Sequence, residues 1–186
     1  MAERPRRSDP TRDAILRAAR TQFADVGFDR TTIRSVAAQA KADPSLVMRY
    51  YGSKDGLFAA AADFDLQLPD LHEVPRTAVG DRLIGHFVDV WDSEPSFRLL
   101  LRAAATNELA AHRMQAIFTE QLVPAIARLH PDGTATEVAE RAVAVASQTL
   151  GIGLCRYVLK LAPLAQLPPD RLVAMFGPTL TRYLTG

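Results

Sequence analysis

The sequence contains one cysteine, Cys155, in 186 residues, so an intramolecular disulfide is excluded. A disulfide-stapled secreted domain is therefore not expected, and a reducing compartment is the simplest setting. The sequence also lacks a glycine-rich phosphate loop, a nucleophile elbow and a catalytic carboxylate pair, so we expect neither an enzyme nor a bound cofactor. The histidines do not occur at the spacing of metal ligands, which argues against a metal site. They are His72, His86, His112 and His130.

Long apolar runs are missing as well. The most apolar stretch, residues 142–162, is interrupted by Ser147, Gln148, Arg156 and Lys160. A membrane span needs roughly 20 nearly unbroken apolar residues, so this stretch predicts a buried helix. The beginning, MAERPRRSDP, has no apolar segment of the kind found in signal peptides. We therefore expect a soluble, cytoplasmic protein with no membrane partner.

Net charge is nearly absent, at +1, but the charges are unevenly distributed. Residues 1–56 carry 11 Lys and Arg against 7 Asp and Glu, whereas the remainder carries 11 against 14. A basic N-terminal part and a mildly acidic remainder suggest two functions, one of which is contact with phosphates. Ordinary surface variation gives the same distribution, so charge alone leaves both interpretations open.

Apolar residues recur at the helical period along almost the whole chain, and no stretch alternates as a β-strand does. The predicted fold class is therefore all-α. In the first part we expect one long helix from about residue 10 to Val26, ended by Gly27, and then three short helices. The short helices begin after Thr31 or Thr32, after Asp43 and after Ser53, and the last extends to about residue 64.

A proline-containing connector, residues 69–75, leads into a larger helical part. Pro124 lies inside a long periodic segment there and should kink or split its helix. Helices are expected at about 78–92, 95–105, 107–130, 134–160 and 168–184.

The two short helices before residue 51 are joined by three residues and braced by the long first helix, which is the arrangement of a helix-turn-helix. Val47 and Tyr51 can face the core together with Leu46. Arg49 would then be free to contact a guanine edge or a phosphate, while Ser45 and Tyr50 could hydrogen-bond to backbone or base. The positions left on the exposed side are Pro44, Ser45, Met48 and Arg49.

Groups around this helix could position it on DNA. Thr32 and the amides that follow it can hold one phosphate, and Lys54 can hold another. The basic arm with Arg4, Arg6 and Arg7 can reach an adjacent groove. The alternative is a generic three-helix bundle with a solvated basic surface.

Residues 9–64 resemble the TetR family of transcription regulators in the order and spacing of several motifs. These are Phe-x-x-x-Gly at the end of the first helix, Thr-Thr before the second, and Tyr-x-Ser-Lys-x-x-Leu after the third. The variant DPSLVMRYYGSK is similar to an actinobacterial-type subgroup. The resemblance implies a three-helix DNA-binding domain over residues 1–52 and a larger helical effector-binding and dimerisation domain over 53–186. It also implies DNA contacts at Thr32, Arg34, Pro44, Ser45, Met48, Arg49, Tyr50 and Lys54.

Three residues depart from the family pattern. Lys41 stands where glycine is usual, so either the break forms without a free left-handed residue or Lys41 adds a phosphate contact. Leu46 replaces a frequent threonine. Met48 replaces a polar or aromatic group, which implies a thymine-methyl contact or weaker base readout.

TetR-like proteins pair through their last two long helices and bind effectors in a cavity among the preceding ones, so the resemblance implies both here. Gly151 and Gly153 suggest a close approach of helices at the pairing surface. The alternative for both sets below is ordinary core within one chain. The expected pairing residues are Thr149, Ile152, Gly153, Leu172, Met175, Phe176, Leu180 and Tyr183. The expected pocket residues are His86, Phe87, Trp91, Phe97, Met114, Phe118 and Gln148, with Tyr157 as a further candidate.

The function expected from these features is that of a homodimeric, sequence-specific DNA-binding regulator, by default a repressor. Its partners would be double-stranded operator DNA, a second copy of itself and an unidentified small apolar effector. Two other classes stay open. One is a helical ligand-binding protein or enzyme whose N-terminal part is vestigial, and the other is an adaptor that binds another regulator through residues 168–184.

Overall fold

The computed structural model describes residues 10–186, so the arm cations Arg4, Arg6 and Arg7 lie outside the described residues. The described chain is helical, without a β-strand in that range, and it divides into two compact units after Asp63. The all-α prediction is therefore confirmed. The helices of the first unit are α1 (Pro10–Val26), α2 (Ile33–Ala40), α3 (Pro44–Tyr51) and α4 (Lys54–Ala61).

Each short helix of the first unit begins at a side-chain cap. The Thr32 hydroxyl accepts a hydrogen bond from the Ser35 N–H, and the Ser35 hydroxyl accepts one from the Thr32 N–H. The carboxylate of Asp43 accepts from the N–H of Ser45, and the hydroxyl of Ser53 caps α4 in the same way. The predicted starts of α2, α3 and α4 are therefore confirmed.

The core of the first unit includes an aromatic cluster. Phe23, Phe28 and Phe58 have ring centroids 5.1–5.9 Å apart. Because Leu57 and Phe58 are buried, α4 belongs to this unit, and the unit extends beyond the division at residue 52 expected from the sequence. Val47 is the buried residue of α3, with no exposed surface.

The second unit contains six α-helices within residues 64–186. Its largest buried side chains include Trp91, Leu99 and Ile126. The predicted helices are present with ends shifted by a few residues, and the segment 107–130 is split as expected. The six are α5 (Val79–Ser93), α6 (Pro95–Ala103), α7 (Glu108–Ile117), α8 (Val123–Leu129), α9 (Ala135–Gly153) and α10 (Pro169–Thr185).

The split beside Pro124 is a π-turn at Phe118–Leu122. Pro124 has no N–H to donate to the preceding turn, and the Val123 N–H bonds to the Phe118 carbonyl, five residues back. Such wide turns are rare and frequently occur at functional positions. A second π-turn, Leu154–Val158, follows α9 directly.

The fourth helix is shorter than expected. It ends at Ala61, and residues 63–70 are irregular, because Phe64 and Leu66 are buried in the second unit instead of continuing the helix. Within residues 10–186, no helix has the combination of length and apolar character that crossing a membrane requires.

Candidate nucleic-acid interface and neighbouring sites

Helix α3 presents one buried side and one exposed side. Val47 is fully buried, and Leu46 and Tyr51 are half-buried, as the spacing predicts. The exposed side is the one expected to face DNA: Pro44, Ser45 and Arg49 are exposed, and Met48 is 46% exposed. A short helix with a single buried anchor and a free polar side can enter a major groove.

The turn before α3 contains an unusual backbone conformation. Lys41 has φ 53° and ψ 40°, the left-handed region, and its N–H caps the carbonyls of Ala37 and Ala38. The break therefore forms without glycine, the residue that reaches this region freely, and the phosphate contact considered for Lys41 stays a prediction. The geometry typical of glycine is kept, and a lysine adopts it at a cost of about 1–2 kcal/mol.

The other side chains expected to contact DNA differ in exposure and in the contacts that they already make within the protein. Arg34 and Thr32 are exposed, although the Thr32 hydroxyl already accepts the Ser35 N–H. Tyr50 is half-buried, with the Arg49 guanidinium 5.4 Å from its ring centroid. Lys54 donates to the Asp29 carbonyl at 3.2 Å and lies 4.3 Å from the Phe28 ring centroid, so its ammonium also supports the turn between α1 and α2.

Sequence reasoning missed a polar network that fixes α2 against α1. The Ser35 hydroxyl donates to the Gln22 side-chain oxygen at 2.6 Å, and the Gln22 amide donates to the Ser35 carbonyl at 2.9 Å. The same amide donates to Gln39 at 2.8 Å. No motif marks these residues, because the network depends on how two helices pack.

The second unit contains a cavity of about 450 Å³ that opens to the surface. Four of the seven residues expected at a pocket line it: Phe87, Phe97, Met114 and Phe118. No Asp, Glu, Lys, Arg or His is among the lining residues. Sequence reasoning missed several, including Leu66, Ala104, Ala111, Gln115, Leu122, Val143, Ala146, Ser147 and Leu150, because small and aliphatic residues carry no pattern that separates a wall from a core.

The remaining pocket candidates lie elsewhere. Nε2 of His86 donates to the Leu66 carbonyl at 2.7 Å instead of facing the cavity. Trp91 has no exposed surface and stacks on the cavity-lining residues Phe87 and Phe97, but it does not line the cavity itself. Gln148 is half-buried on α9 and is not part of the lining.

Tyr157 is likewise part of a different cluster. Its hydroxyl donates to Asp92 Oδ1 at 2.7 Å, and burial together with this bond raises the pKa of Tyr157 to about 12.

Most residues expected at a pairing surface are core residues of their own chain. Gly153 lies against Trp91 and Leu101, so the close approach that explains this glycine is internal. Met175, in contrast, is 52% exposed, and Phe176 and Tyr183 are half-buried. Five of the expected pairing residues are buried within the single chain: Thr149, Ile152, Gly153, Leu172 and Leu180.

An exposed face of α9 does exist beside this core. Val143 on α9 is 53% exposed, and Leu154 in the π-turn directly after the helix is 37% exposed. Ser147 and Gly151 lie between them at spacings of three and four residues, and Val143 and Ser147 also line the cavity. A β-carbon added at Gly151 would meet nothing within 4 Å.

Two family models match the chain. The model described as "Bacterial regulatory proteins, tetR family" matches residues 15–61, which include α2 and α3. The model described as "Tetracyclin repressor-like, C-terminal domain" matches residues 78–184, more than half of the chain.

Individual relatives agree with these matches. The HTH-type transcriptional repressor Rv3405c of Mycobacterium tuberculosis is 46% identical over 50 residues, which are 27% of this chain and 27% of the relative. The chain thus aligns with little more than a quarter of the length of the curated relatives it matches.

Two solved structures resemble the whole chain. A TetR-family regulator from Streptomyces coelicolor A3 is 30% identical with a TM-score of 0.60, and the match covers 100% of both chains. A TetR-like transcriptional regulator from Rhodococcus sp. RHA1 has a TM-score of 0.68 over 95% of this chain and 96% of the other. At 20% identity, this second similarity concerns the fold alone.

Proposed function

This chain belongs to the TetR family of bacterial transcription regulators, and we propose that it represses transcription by binding operator DNA through α3 as a homodimer. The observation that carries the proposal is the division of α3 into a buried Val47 and an exposed side with Ser45, Met48 and Arg49. Repression is proposed because the Mycobacterium tuberculosis relative is named as a repressor.

The proposed contacts fall into two groups. Arg49 reads a guanine edge or pairs with a phosphate, Ser45 and Tyr50 hydrogen-bond to base or backbone, and Met48 meets a thymine methyl group. Phosphate contacts from the other group fix the position of α3 without reading sequence. That group consists of Thr32, Arg34, Lys41 and Lys54, while Pro44, which has no donor, contributes only van der Waals contact at the start of α3.

We propose that two copies pair through the exposed faces of α9 and α10. Leu154, directly after α9, and Met175 on α10 leave large apolar side chains in water in a single copy. Covering them with a second copy is favourable by roughly 25 cal/mol for each Å² of apolar surface removed from water. A twofold pair would carry two α3 helices, which suits an operator with two related half-sites.

We propose that a small, uncharged and largely apolar effector binds the cavity of the second unit and reduces operator affinity. A cavity of about 450 Å³ falls within the range of pockets for small molecules, and its lining contains no charged side chain to neutralise an ionic ligand. Gln115 and Ser147 are the lining groups that could orient a polar end.

The test measures binding of fluorescent duplexes taken from the DNA flanking the protein's own gene, at several salt concentrations. We expect a preferred site and a steep fall of affinity with salt, because phosphate contacts release counterions. Arg49→Ala should weaken binding or relax specificity at one base step by about 1–3 kcal/mol. Arg82→Ala, which removes the same charge from an exposed position on α5, is the control and should leave binding unchanged.

Flat salt dependence together with equal binding to unrelated duplexes would contradict the proposal. An Arg49→Ala variant with unchanged affinity and specificity would remove the role given to that side chain.

A further inference from the structure

The segment 64–66 begins the second unit directly after Asp63, the last residue of the first. It is not helical, yet Phe64 is 5% exposed and Leu66 is 3% exposed. Buried backbone outside regular structure needs hydrogen-bond partners from elsewhere. The side chains of His86, Arg113 and Gln121 supply these hydrogen-bond partners, and we call the three side chains the clamp.

Gln121 acts in the clamp both as a hydrogen-bond acceptor and as a donor. Its side-chain oxygen accepts the Leu66 N–H at 2.7 Å, and its amide nitrogen donates to the Phe64 carbonyl at 3.4 Å. Nη2 of Arg113 donates to the same Phe64 carbonyl at 3.1 Å, and Nε2 of His86 donates to the Leu66 carbonyl at 2.7 Å.

Every residue of the clamp is followed in the chain by a residue of the cavity wall. His86 precedes Phe87, Arg113 precedes Met114, and Gln121 precedes Leu122. Leu66, whose backbone the clamp holds, lines the cavity as well. A ligand that displaces the wall therefore acts on the groups that hold 64–66.

Gln121 lies on the element of the wall best suited to change register. Within the π-turn Phe118–Leu122, the side chains of Phe118 and Leu122 line the cavity, whereas the side chain of Gln121 bonds to the backbone of segment 64–66. A shift of one residue towards the ordinary helical register would rotate Gln121 by about 100° around the helix axis. Such a rotation would take it away from Leu66.

We propose that Gln121 is a positioning residue that transmits occupancy of the cavity to the chain entering the DNA-binding unit. Ligand contact with Phe118 and Leu122 shifts the π-turn, the Leu66 N–H loses its acceptor, and 64–66 is released. This inference rests on the proposed function, since it requires that a ligand in the cavity changes operator affinity.

The test uses N-phenyl-1-naphthylamine, an uncharged apolar fluorophore, as the ligand. Its binding is followed by energy transfer from Trp91, the one tryptophan, which stacks on the wall residues Phe87 and Phe97 at 5.6 and 6.1 Å. Operator affinity is measured with and without saturating probe. In the unmodified protein we expect the probe to weaken operator binding by about tenfold, a typical coupling between two sites.

Gln121→Met keeps the length of the side chain and removes both hydrogen bonds. Because the release of 64–66 then no longer needs the probe, we expect Gln121→Met to bind operator about tenfold more weakly without probe, to bind the probe at least as tightly as the unmodified protein, and to show less than about twofold further effect of the probe. A purely structural role would instead weaken probe binding as well, or leave the full effect of the probe on operator binding. Glu120→Met introduces the same side chain at the exposed neighbouring position and should retain the full coupling.

Full coupling in a Gln121→Met protein that binds both partners would overturn the inference and leave the proposed function standing. An unmodified protein that binds probe and operator independently of each other would contradict both. Should Gln121→Met fail to fold or to bind either partner, hydrogen exchange of the Leu66 amide in the unmodified protein decides. The inference expects a loss of protection when the probe binds, and unchanged or increased protection would overturn it.

Discussion

Lys41 adopts a left-handed backbone conformation, as do Gln67 and Lys160 among the described non-glycine residues. Its φ of 53° lies in the region where a β-carbon costs about 1–2 kcal/mol and glycine costs little. Lys41→Gly should therefore raise the free energy of unfolding of the first unit by about 1 kcal/mol, measured by denaturant titration with circular dichroism.

Lys41→Ala separates backbone from charge, because alanine keeps the β-carbon and removes the ammonium. It should leave stability within about 0.5 kcal/mol of the unmodified protein. Both variants should reduce the slope of operator affinity against salt by about one if Lys41 contacts a phosphate. Equal stability of the two variants would show that the left-handed backbone carries no cost here.

Asp43 makes the first turn of α3 sensitive to acid. Hydrogen bonds from Ser45, with the side chain first and the backbone N–H second, hold the pKa of Asp43 below its ordinary value of 3.8. A pKa that is lower in the folded state contributes stability above the unfolded value, and that contribution disappears as pH falls through the folded pKa. Asp43→Asn keeps an acceptor that does not titrate.

We therefore expect the unmodified protein to lose stability relative to Asp43→Asn as the pH falls below about 3.8, with the two close together at neutral pH. Unfolding by denaturant across this pH range measures the difference. Parallel pH profiles would mean that the cap does not depend on the charge of Asp43.

Residue roles were predictable where they follow from one helix. The exposed side of α3 follows from the spacing of Val47 and Tyr51, and the caps at Thr32 and Asp43 follow from local hydrogen-bonding chemistry. The engagement of Lys54 with the Asp29 carbonyl was not predictable, because it joins residues 25 positions apart.

At the scale of elements, α5 and α10 pack with their backbones in close contact. A β-carbon on Gly80 would overlap the Gly177 carbonyl oxygen and the Thr181 amide nitrogen. Gly80→Ala should therefore lower the free energy of unfolding of the second unit by about 3 kcal/mol, because backbone cannot move aside as a side chain can. Trp91 fluorescence during denaturant titration reports on this unit.

Gly85→Ala is the matched control on the same helix. Its β-carbon would meet only the Val173 side chain at 3.8 Å, an ordinary contact. Replacing a helical glycine with alanine should then stabilise the protein by about 1 kcal/mol. Similar effects of the two substitutions would contradict the close approach at Gly80.

Element types and order were predictable from helical periodicity, whereas two element ends were not. Helix α4 stops at Ala61 because Phe64 and Leu66 are buried in the second unit, a tertiary preference that local sequence does not encode. The break beside Pro124 was expected from proline chemistry, but its form as a π-turn was not.

At the scale of the whole molecule, pairing should depend on the exposed apolar faces and not on the buried stripes. Met175→Glu places a charge on the proposed interface, so we expect light scattering to give a mass of 20.3 kDa, against twice that for the unmodified protein. Leu109→Glu, at a 43% exposed position on α7, is the control and should remain paired. A paired Met175→Glu protein would place the interface elsewhere.

Sequence periodicity could not locate this interface, because a helix that packs inside one chain and a helix that pairs with another show the same apolar spacing. Leu172 and Leu180 belong to the stripe as Met175 does, yet they are fully buried. The cavity presents the same difficulty, since its walls use residue types that also fill cores.

We expect operator binding to depend above all on α3, an exposed helix that self-association would present to duplex DNA twice. Hydroxyl-radical footprinting on the DNA flanking the protein's own gene tests this directly. We predict two protected patches related by a dyad and spaced by about one helical turn, 10–10.5 base pairs, or a multiple of it. A single protected patch, or uniform protection without sequence preference, would contradict this prediction.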